Sequence, residues 1–353
     1  METRTVERKV ILGVDTHLDM HVGAVIDEIG LLLGTLATPT NARGYQQLLS
    51  WARSFGDLGH AGVEGTGTYG AGLARLLSEQ GVTVWEINRP DRSTRRLRGK
   101  SDPTDAESAA RAVLSGSANA IPKSHSGAAE AMRTVSVARR SAVKARTQAI
   151  NQLRSLLVSA PDEIRHRLWR TKPEQCVAHC ARLKITGDTP LLQTLASTLR
   201  LLAKRWMNLT AELRELDATL EHLTKQSARR LRTQFGVGPQ SAATLLAVAG
   251  DNPERLRSEA ALAALCGVSP LQASSGKTVR HRLNRGGDRS ANNALWTIAL
   301  VRMRSEPRTQ AYVARRTTEG MSSKEIHRCL KRYIVRELYP LILADLRDAA
   351  TVS

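Results

Sequence analysis

The segment VILGVDTHLDMHVGAVIDEIGLLLGTLAT (residues 10–38) decides the fold of the amino-terminal part of this chain. It holds three runs rich in β-branched and apolar residues, VILGVD (10–15), HVGAVID (21–27) and LLLGTLAT (31–38), with only short turns between them. Runs of this composition and length, bounded by Asp, Glu and Gly, are typical of strands. The segment therefore predicts three successive strands, antiparallel to one another.

The sequence that follows alternates between helical and strand patterns. It predicts a helix capped by Asn41, a strand at 60–65, a helix over 70–80, a strand at 82–88 and an alanine-rich helix within RGKSDPTDAESAARAVLSG (98–116). Because strand–helix–strand connections join parallel strands, the order βββαβαβα predicts three antiparallel strands joined to two parallel ones. That order suits a ribonuclease-H-like α/β fold.

Four acidic residues stand where this topology brings separate elements together: Asp15, Glu64, Asp102 and Asp105. Asp15 and Glu64 end the first and fourth strands, which are expected neighbours, while Asp102 and Asp105 share one face of the first helical turn. Each acid alone has a structural explanation, and an acid near a helix start also complements the helix dipole. Two-metal phosphoryl transfer, however, needs several carboxylates from separate elements, so the four together predict a metal centre. His17 and Asp19, just beyond Asp15, either enter the site as a base or as supports of the acids, or face a turn, which is the favoured expectation.

The chain is strongly basic. Its 353 residues carry 52 Lys and Arg against 33 Asp and Glu, a formal charge of +19 and a pI near 10.6. This excess predicts a polyanionic partner, of which nucleic acid is the commonest. Aromatic residues make up only 3% of the chain, so arginine contacts to the phosphate backbone are expected to dominate over extensive base stacking.

The four cysteines are too few and too scattered for a disulfide framework. The CVAHC segment (176–180) offers one Cys-x3-Cys pair without a second pair nearby, which favours ordinary helix packing over a zinc site. No leader-like segment opens the sequence, and no apolar run approaches the roughly 20 residues of a membrane span. The expected location is the cytoplasm, with no membrane partner.

Two patterns organise the middle of the chain. Large apolar residues recur at alternating spacings of three and four, a heptad seam that predicts a coiled coil and comprises Leu192, Leu195, Leu199, Leu202, Trp206, Leu209, Leu213, Leu216, Leu220 and Leu223. This helix either pairs with another subunit or folds back on the long basic helix predicted around 128–158. FGVGPQSAATLLAVAGD (235–251) then places Gly236 and Gly238 in a turn that resembles a helix-hairpin-helix element, whose N–H groups contact DNA phosphate, although a plain helix connection fits as well.

The carboxy-terminal part holds two basic segments. SPLQASSGKTVRHRLNRGGDRSANNALW (269–296) is polar and rich in glycine. SSKEIHRCLKRYIVRELYPLIL (322–343) predicts a basic amphipathic helix with a stripe that is either solvated or faces nucleic acid and comprises Lys324, Arg328, Lys331, Arg332 and Arg336. The candidate residues for binding nucleic acid across this part are Gly236, Gly238, Lys277, Arg280, Arg282, Arg285, Arg328, Lys331 and Arg332.

Five motifs together resemble one known family: GVDTH (13–17), GVEGTGTYG (62–70), KSDPTDAESAAR (100–111), GVSPLQASSG (267–276) and LNRGGDRSANNAL (283–295). As an ordered set they look like the D-E-D-D transposases of the IS110 class of bacterial insertion sequences, over nearly the whole chain. One departure is Leu18, where related sequences often carry Lys after the TH pair; the four acids are unaffected.

The resemblance implies three parts and a set of partners. They are a RuvC-like catalytic domain over 1–125, long helices and a coiled coil over 126–230, and a mostly helical transposase domain over 231–353. It further implies Mg²⁺ or Mn²⁺ held by the four acids, and a nucleophile at Ser275, for which Ser274 and Ser269 are the competing serines. The implied partners are the DNA of element ends and target, a structured noncoding guide RNA and further copies of the chain as a dimer or tetramer. The acids and the serine meet either within one chain or across subunits.

Three other functions fit parts of the pattern. A RuvC-like Holliday-junction resolvase or nuclease would use the same acids to activate water without a serine. An actin-like ATPase shares the strand order, but it would need further glycine-rich phosphate loops where a leucine heptad and a basic tail follow here. A non-catalytic nucleic-acid-binding protein would need none of the four acids.

Overall fold

The computed structural model describes residues 8–87, 101–184, 189–276 and 281–352. The chain divides into two compact units, Met1–His125 and Ser126–Ser353. Lys277 and Arg280, two of the predicted nucleic-acid-binding residues, lie outside the described residues.

The first unit is built on a five-stranded sheet. Its strands are β1 (Lys9–Thr16), β2 (Met20–Asp27), β3 (Leu32–Pro39), β4 (Asp57–Glu64) and β5 (Thr83–Ile87). They lie in the order β3-β2-β1-β4-β5, with β1, β2 and β3 antiparallel and β4 parallel to both β1 and β5. The predicted sheet of three antiparallel strands followed by two parallel ones is confirmed, and this mixed sheet is consistent with a ribonuclease-H-like domain.

The helices described in the first unit are α1 (Ala42–Arg53), α2 (Ala71–Glu79) and α3 (Asp102–Leu114). Asn41 caps α1 as predicted, because its side chain accepts a hydrogen bond from the Gly44 N–H at 3.0 Å. One face of the sheet carries the apolar core, whose largest fully buried members include Leu12, Leu48 and Leu73. The opposite face of β1 and β4 is covered by α3, which contacts both strands.

The second unit begins with two long helices and a short pair between them. They are α4 (Ala128–Val158), α5 (Asp162–Leu168), α6 (Pro173–Ala181) and α7 (Pro190–Ser227). Helices α4 and α7 pack along each other, and the heptad positions Leu199, Trp206, Leu213 and Leu220 are buried. The fold-back on the basic helix, one of the two arrangements left open by the sequence, therefore occurs within this chain. Coiled-coil pairing with another subunit stays a prediction.

The rest of the second unit is a helical bundle with one small hairpin. Its elements are α8 (Arg229–Arg232), α9 (Pro239–Ala249), α10 (Glu259–Leu265), β6 (Leu271–Gln272), β7 (His281–Arg282), α11 (Arg289–Ser305), α12 (Pro307–Thr318) and α13 (Ser323–Val352). Its core is formed by buried apolar residues of α9, α11 and α13, such as Leu245, Ile298 and Leu338.

Cys176, Cys180, Cys266 and Cys329 are all free thiols, and the first three are buried. Among the described residues, no helix combines the length and the apolar character that crossing a membrane requires.

Candidate active site and nucleic-acid interface

Asp15 and Glu64 lie at adjacent strand ends. Strands β1 and β4 are parallel, with Gly13 opposite Gly62 and Val14 opposite Val63. Because side chains alternate between the two faces of a strand, Asp15 shares the face of Gly13, and Glu64 shares the face of Gly62. Both acids are therefore on the face of the sheet that α3 covers.

Glycine lets α3 approach this face until backbone meets backbone. A Cβ atom added at Gly13 would lie 2.1 Å from the carbonyl oxygen of Ala106, and one added at Gly62 would lie 2.7 Å from that of Ala109. Any larger residue at Gly13 would hold the helix away from the sheet. The close contact carries the first turn of α3 to the end of the sheet, and that turn contains Asp102 and Asp105.

His17 joins two of the acids. Its Nε2 atom is 3.3 Å from Oδ2 of Asp15 and 3.5 Å from Oδ1 of Asp102. Ligand atoms of these three residues all lie within 4.8 Å of one another, the spacing of a group able to hold a metal ion. The expectation that His17 faces a turn is wrong for its side chain: the backbone does turn, since its N–H bonds to the Met20 carbonyl, but the imidazole points back to the acids.

Asp19 does not join this group. It is exposed, and its carbonyl oxygen accepts a hydrogen bond from the Thr40 N–H at 3.0 Å. Of the two residues, the favoured turn-facing interpretation is therefore wrong only for the His17 side chain, which takes the other alternative and enters the site. The sequence did contain one signal that His17 enters the site: it stands two residues after Asp15 at the end of a strand, and residues two apart on a strand share a face.

The surroundings of Asp15 make its ionised carboxylate unfavourable in the absence of a cation. Burial is the largest effect and raises the pKa of the Asp15 carboxyl above its ordinary value. The imidazole of His17 acts in the opposite direction, and the carboxylates of Asp105 and Asp102 raise that pKa further. Because several carboxylates converge on a buried acid, this end of the sheet is suited to a divalent cation.

Glu64 and Asp105 border the three-residue group without being part of it. Asp105 is buried on α3 and acts electrostatically on Asp15. Glu64 is half-buried, and its carbonyl oxygen accepts a hydrogen bond from the Thr16 hydroxyl at 3.0 Å. The next residue, Gly65, has a φ of +59°, so the chain turns sharply directly after the acid.

Ser275 lies in the second unit, between the two strands of the small hairpin. Strands β6 and β7 pair through Leu271 with Arg282 and Gln272 with His281. Ser275 is exposed, and Gly276 after it has a φ of +54° with nothing within 4 Å of an added Cβ. The serine is thus accessible, and it directly precedes a glycine with a positive φ.

A basic pocket of about 640 Å³ adjoins this hairpin. Its lining includes the five basic side chains Arg282, Arg328, Lys331, Arg332 and Arg336. Arg332 pairs with Glu259, whereas Arg328 is 3.8 Å from Glu325. Four of the basic residues predicted to bind nucleic acid therefore converge on one surface.

Lys331 differs from the expectation of a solvated stripe on α13. It is only 7% exposed, and its Nζ donates a hydrogen bond to Oδ1 of Asn292 at 2.8 Å. The amide of Asn292 in turn donates to the carbonyl oxygens of Cys266 and Gly267. Burial lowers the pKa of Lys331, and the charge of Arg328 lowers it further. Lys331 therefore links α13 to the base of the hairpin segment.

Among the residues that the structure describes, the predicted Gly236, Gly238 and Arg285 are not part of the basic pocket lining. Arg285 is exposed beyond β7. Gly236 has a φ of +82°, and Gly238 immediately precedes the first turn of α9, which starts with Pro239. The contact of these glycines with DNA phosphate stays a prediction.

Two family models match separate parts of the chain. One, described as "Transposase" and named for a DEDD motif and IS110, matches residues 12–160. The other, described as "Transposase IS116/IS110/IS902 family", matches residues 228–314. The first range includes all four acids and His17, and the second includes Ser275.

Two curated proteins are similar to parts of the chain. The 42 kDa protein of insertion element IS900 from Mycobacterium paratuberculosis is 29% identical over 164 residues, which are 46% of this chain and 40% of that protein. The 43.6 kDa protein of insertion element IS110 from Streptomyces coelicolor is 30% identical over 119 residues, 33% of this chain and 28% of that protein. The matches thus span less than half the length of either relative.

Proposed function

Because this chain belongs to the IS110 family of transposases, we propose that it is a DNA transposase that cuts and rejoins DNA strands with a D-E-D-D metal site and a serine nucleophile. One observation carries the proposal most: Asp15, His17 and Asp102 converge within 4.8 Å inside the range that matches the DEDD model. The catalytic acids are Asp15, Glu64, Asp102 and Asp105.

The donor set fits Mg²⁺ or Mn²⁺. Both ions prefer carboxylate oxygens, and the carboxylates around Asp15 raise its pKa, which a bound cation would offset. When bound, such ions stabilise the charge that develops on the oxygens of the reacting phosphate. Asp102 is half-exposed and Asp15 is buried, so the group has one side open to solvent and one side fixed by the sheet.

Ser275 is the proposed nucleophile. Its Oγ attacks the phosphorus of a phosphodiester and forms a phosphoserine bond, while the bond to the departing DNA oxygen breaks and that oxygen takes up a proton. The bond to serine replaces the broken ester bond, so the phosphorus remains in a phosphodiester. A DNA hydroxyl can therefore later attack the same phosphorus and release the serine without an external energy source. The basic pocket beside the hairpin supports this role because its arginines can hold the phosphate.

The nucleic-acid partners follow from the charge. A formal charge of +19 supports binding of the DNA of element ends and target and of a guide RNA encoded by the element. Assembly as a dimer or tetramer is part of the same proposal, since strand exchange joins several DNA ends.

A covalent-trapping experiment tests the proposal. The full-length protein with Mg²⁺ is incubated with a nicked suicide DNA substrate carrying an element end, and peptide mapping locates any nucleotide adduct. We expect the adduct on Ser275, its loss in Ser275→Ala, and its retention in the neighbouring control Ser274→Ala. Asp15→Asn should lose cleavage while retaining DNA binding.

The other outcomes are equally informative. An adduct on Ser274 or Ser269 would contradict the assignment of the serine. Cleavage that survives in Ser275→Ala without an adduct would instead assign the acids to a nuclease or resolvase that activates water.

A further inference from the structure

A second pocket, distinct from the basic pocket, lies among helices α11, α12 and α13. It has a volume of about 550 Å³ and is lined by the side chains of Tyr312 and Tyr333 together with charged residues. We call it the tyrosine pocket. None of its lining residues is among the sequence-predicted sites.

The two tyrosines form an accessible aromatic corner. Their ring centroids are 5.7 Å apart at an interplanar angle of 82°, and Tyr333 is 51% exposed. Arginine flanks each ring: the guanidinium of Arg315 is 5.5 Å from the centroid of Tyr312, and that of Arg336 is 6.0 Å from the centroid of Tyr333. Exposed tyrosine and arginine planes are the surfaces on which unpaired bases stack.

The charges divide the pocket into a part for a base and a part for a phosphate. The buried side is closed by Arg302, which is 5% exposed and is held in a bidentate pair by the Glu337 carboxylate at 2.8 and 2.9 Å. Glu306 also lines the pocket. The Glu306 carboxylate repels a phosphate and can accept hydrogen bonds from the amino groups of a base. Arg308 and Arg315, both exposed, lie on the outer part of the lining.

The tyrosine pocket and the basic pocket share one lining residue, Tyr333. Arg336 beside it lines the basic pocket. A strand whose phosphates contact the arginines of the basic pocket is therefore within reach of Tyr333. A paired base has both faces stacked within a helix, so only an unpaired base is free to enter.

We propose that the tyrosine pocket binds an unpaired nucleotide of a nucleic-acid strand, with the base stacked on Tyr333 and the phosphate held by Arg315 and Arg336. This inference rests on the proposed function in so far as the strand belongs to the DNA or RNA on which the transposase acts. It also refines the expectation from composition: stacking is not extensive in this chain, but it is concentrated at one site.

Binding of short oligonucleotides tests the inference. Fluorescence anisotropy of the full-length protein is measured with labelled oligo(U), oligo(dT) and the duplex of oligo(dT) with oligo(dA). We expect Tyr333→Ala to weaken single-strand binding about tenfold, equal to about 1.4 kcal/mol, and to leave duplex binding unchanged. Tyr333→Phe should keep most of the affinity because it keeps the ring. Trp169→Ala is the matched control, since Trp169 is another exposed ring under an arginine, Arg154, away from this pocket.

The outcomes separate this inference from the proposed function. Equal single-strand affinity in the wild type and in Tyr333→Ala would contradict the binding of a nucleotide in the tyrosine pocket, even if duplex binding and transposition persist. No binding of any nucleic acid by the wild type would instead contradict the proposed function. Photocrosslinking uses oligo(U) and oligo(dT) in which one base is replaced by 5-iodouracil, and it should place adducts on Tyr312 or Tyr333. The probe that gives more of these adducts identifies RNA or DNA as the source of the nucleotide. Adducts confined to other residues would also contradict nucleotide binding in the tyrosine pocket.

Discussion

Replacing Gly13 by alanine tests the idea that a backbone contact between α3 and the sheet positions the metal-binding acids. The added Cβ would lie 2.1 Å from the Ala106 carbonyl oxygen and 2.3 Å from the Ala110 nitrogen. Ordinary contact distances are about 3.5 Å, so the helix must move away from β1 by about 1 Å or more. Neither neighbouring atom belongs to a flexible side chain that could move aside.

That displacement exceeds what the site tolerates. Asp102 and Asp105 travel with the first turn of α3, whereas Asp15 and Glu64 stay on the sheet. Metal ligands keep their distances to within about 0.2 Å, and a misplacement of about 1 Å costs roughly 100-fold in rate. The overpacking itself should lower the free energy of unfolding by about 1–3 kcal/mol. We therefore expect a folded protein with much weaker Mn²⁺ binding and little strand cleavage.

The chain offers a graded control for this experiment. An added Cβ at Gly62 meets the Ala109 carbonyl oxygen at 2.7 Å, whereas one at Gly59, in the same strand, has nothing within 4 Å. Isothermal titration with Mn²⁺ should therefore rank the losses as Gly13→Ala, then Gly62→Ala, with Gly59→Ala close to wild type. Wild-type Mn²⁺ affinity in a folded Gly13→Ala protein would refute the positioning argument.

Three further predictions address other contacts. His17→Ala should weaken Mn²⁺ binding about tenfold while the sheet stays folded, because one of three converging ligand atoms is lost; an unchanged Mn²⁺ titration would remove His17 from the site. Asn292→Leu should lower the free energy of unfolding in urea by about 3 kcal/mol, because it leaves the Lys331 ammonium buried and unpaired, whereas exposed Asn293→Leu should change it little. Leu213→Asp should destabilise the second unit by several kcal/mol, because Leu213 is buried between long helices, whereas Leu201→Asp, at a 65% exposed position, should not; a lower mass of Leu201→Asp by light scattering would show that α7 also pairs between subunits.

The sheet could be predicted from the sequence because its signals are local. Three short apolar runs with brief turns leave little choice but antiparallel hairpins, and the two following strands are each preceded by a helix. The same topology makes β1 and β4 neighbours, so Asp15 and Glu64 could be expected at one end of the sheet. What the sequence left open was the partner of the leucine seam, because a heptad pattern is the same whether its partner helix lies in the same chain or in another.

The basic stripe on α13 could have been divided more finely from its own sequence. Leu330, Ile334 and Leu338 recur at spacings of four and are all buried, and a helix has 3.6 residues per turn. Lys331 directly follows the first of them and so lies at the edge of the buried face, while Arg328, Arg332 and Arg336 lie farther round. The charge pattern alone made these residues look equivalent, whereas the apolar pattern separates them.

The place of His17 depends on contacts that no local pattern contains. Its imidazole meets Asp15, two residues earlier, and also Asp102, which is 85 residues later in the sequence and reaches the sheet only because Gly13 and Gly62 admit α3 to backbone contact. The histidine and the glycines are therefore parts of one arrangement: without the glycines, α3 would stand off, and His17 would keep only Asp15 as a neighbour. It follows that removing the glycine contact should reduce the effect of His17→Ala, so that the Gly13→Ala and His17→Ala losses in Mn²⁺ affinity are less than additive in the double variant. Strictly additive losses would mean that His17 and α3 contribute to the metal site independently.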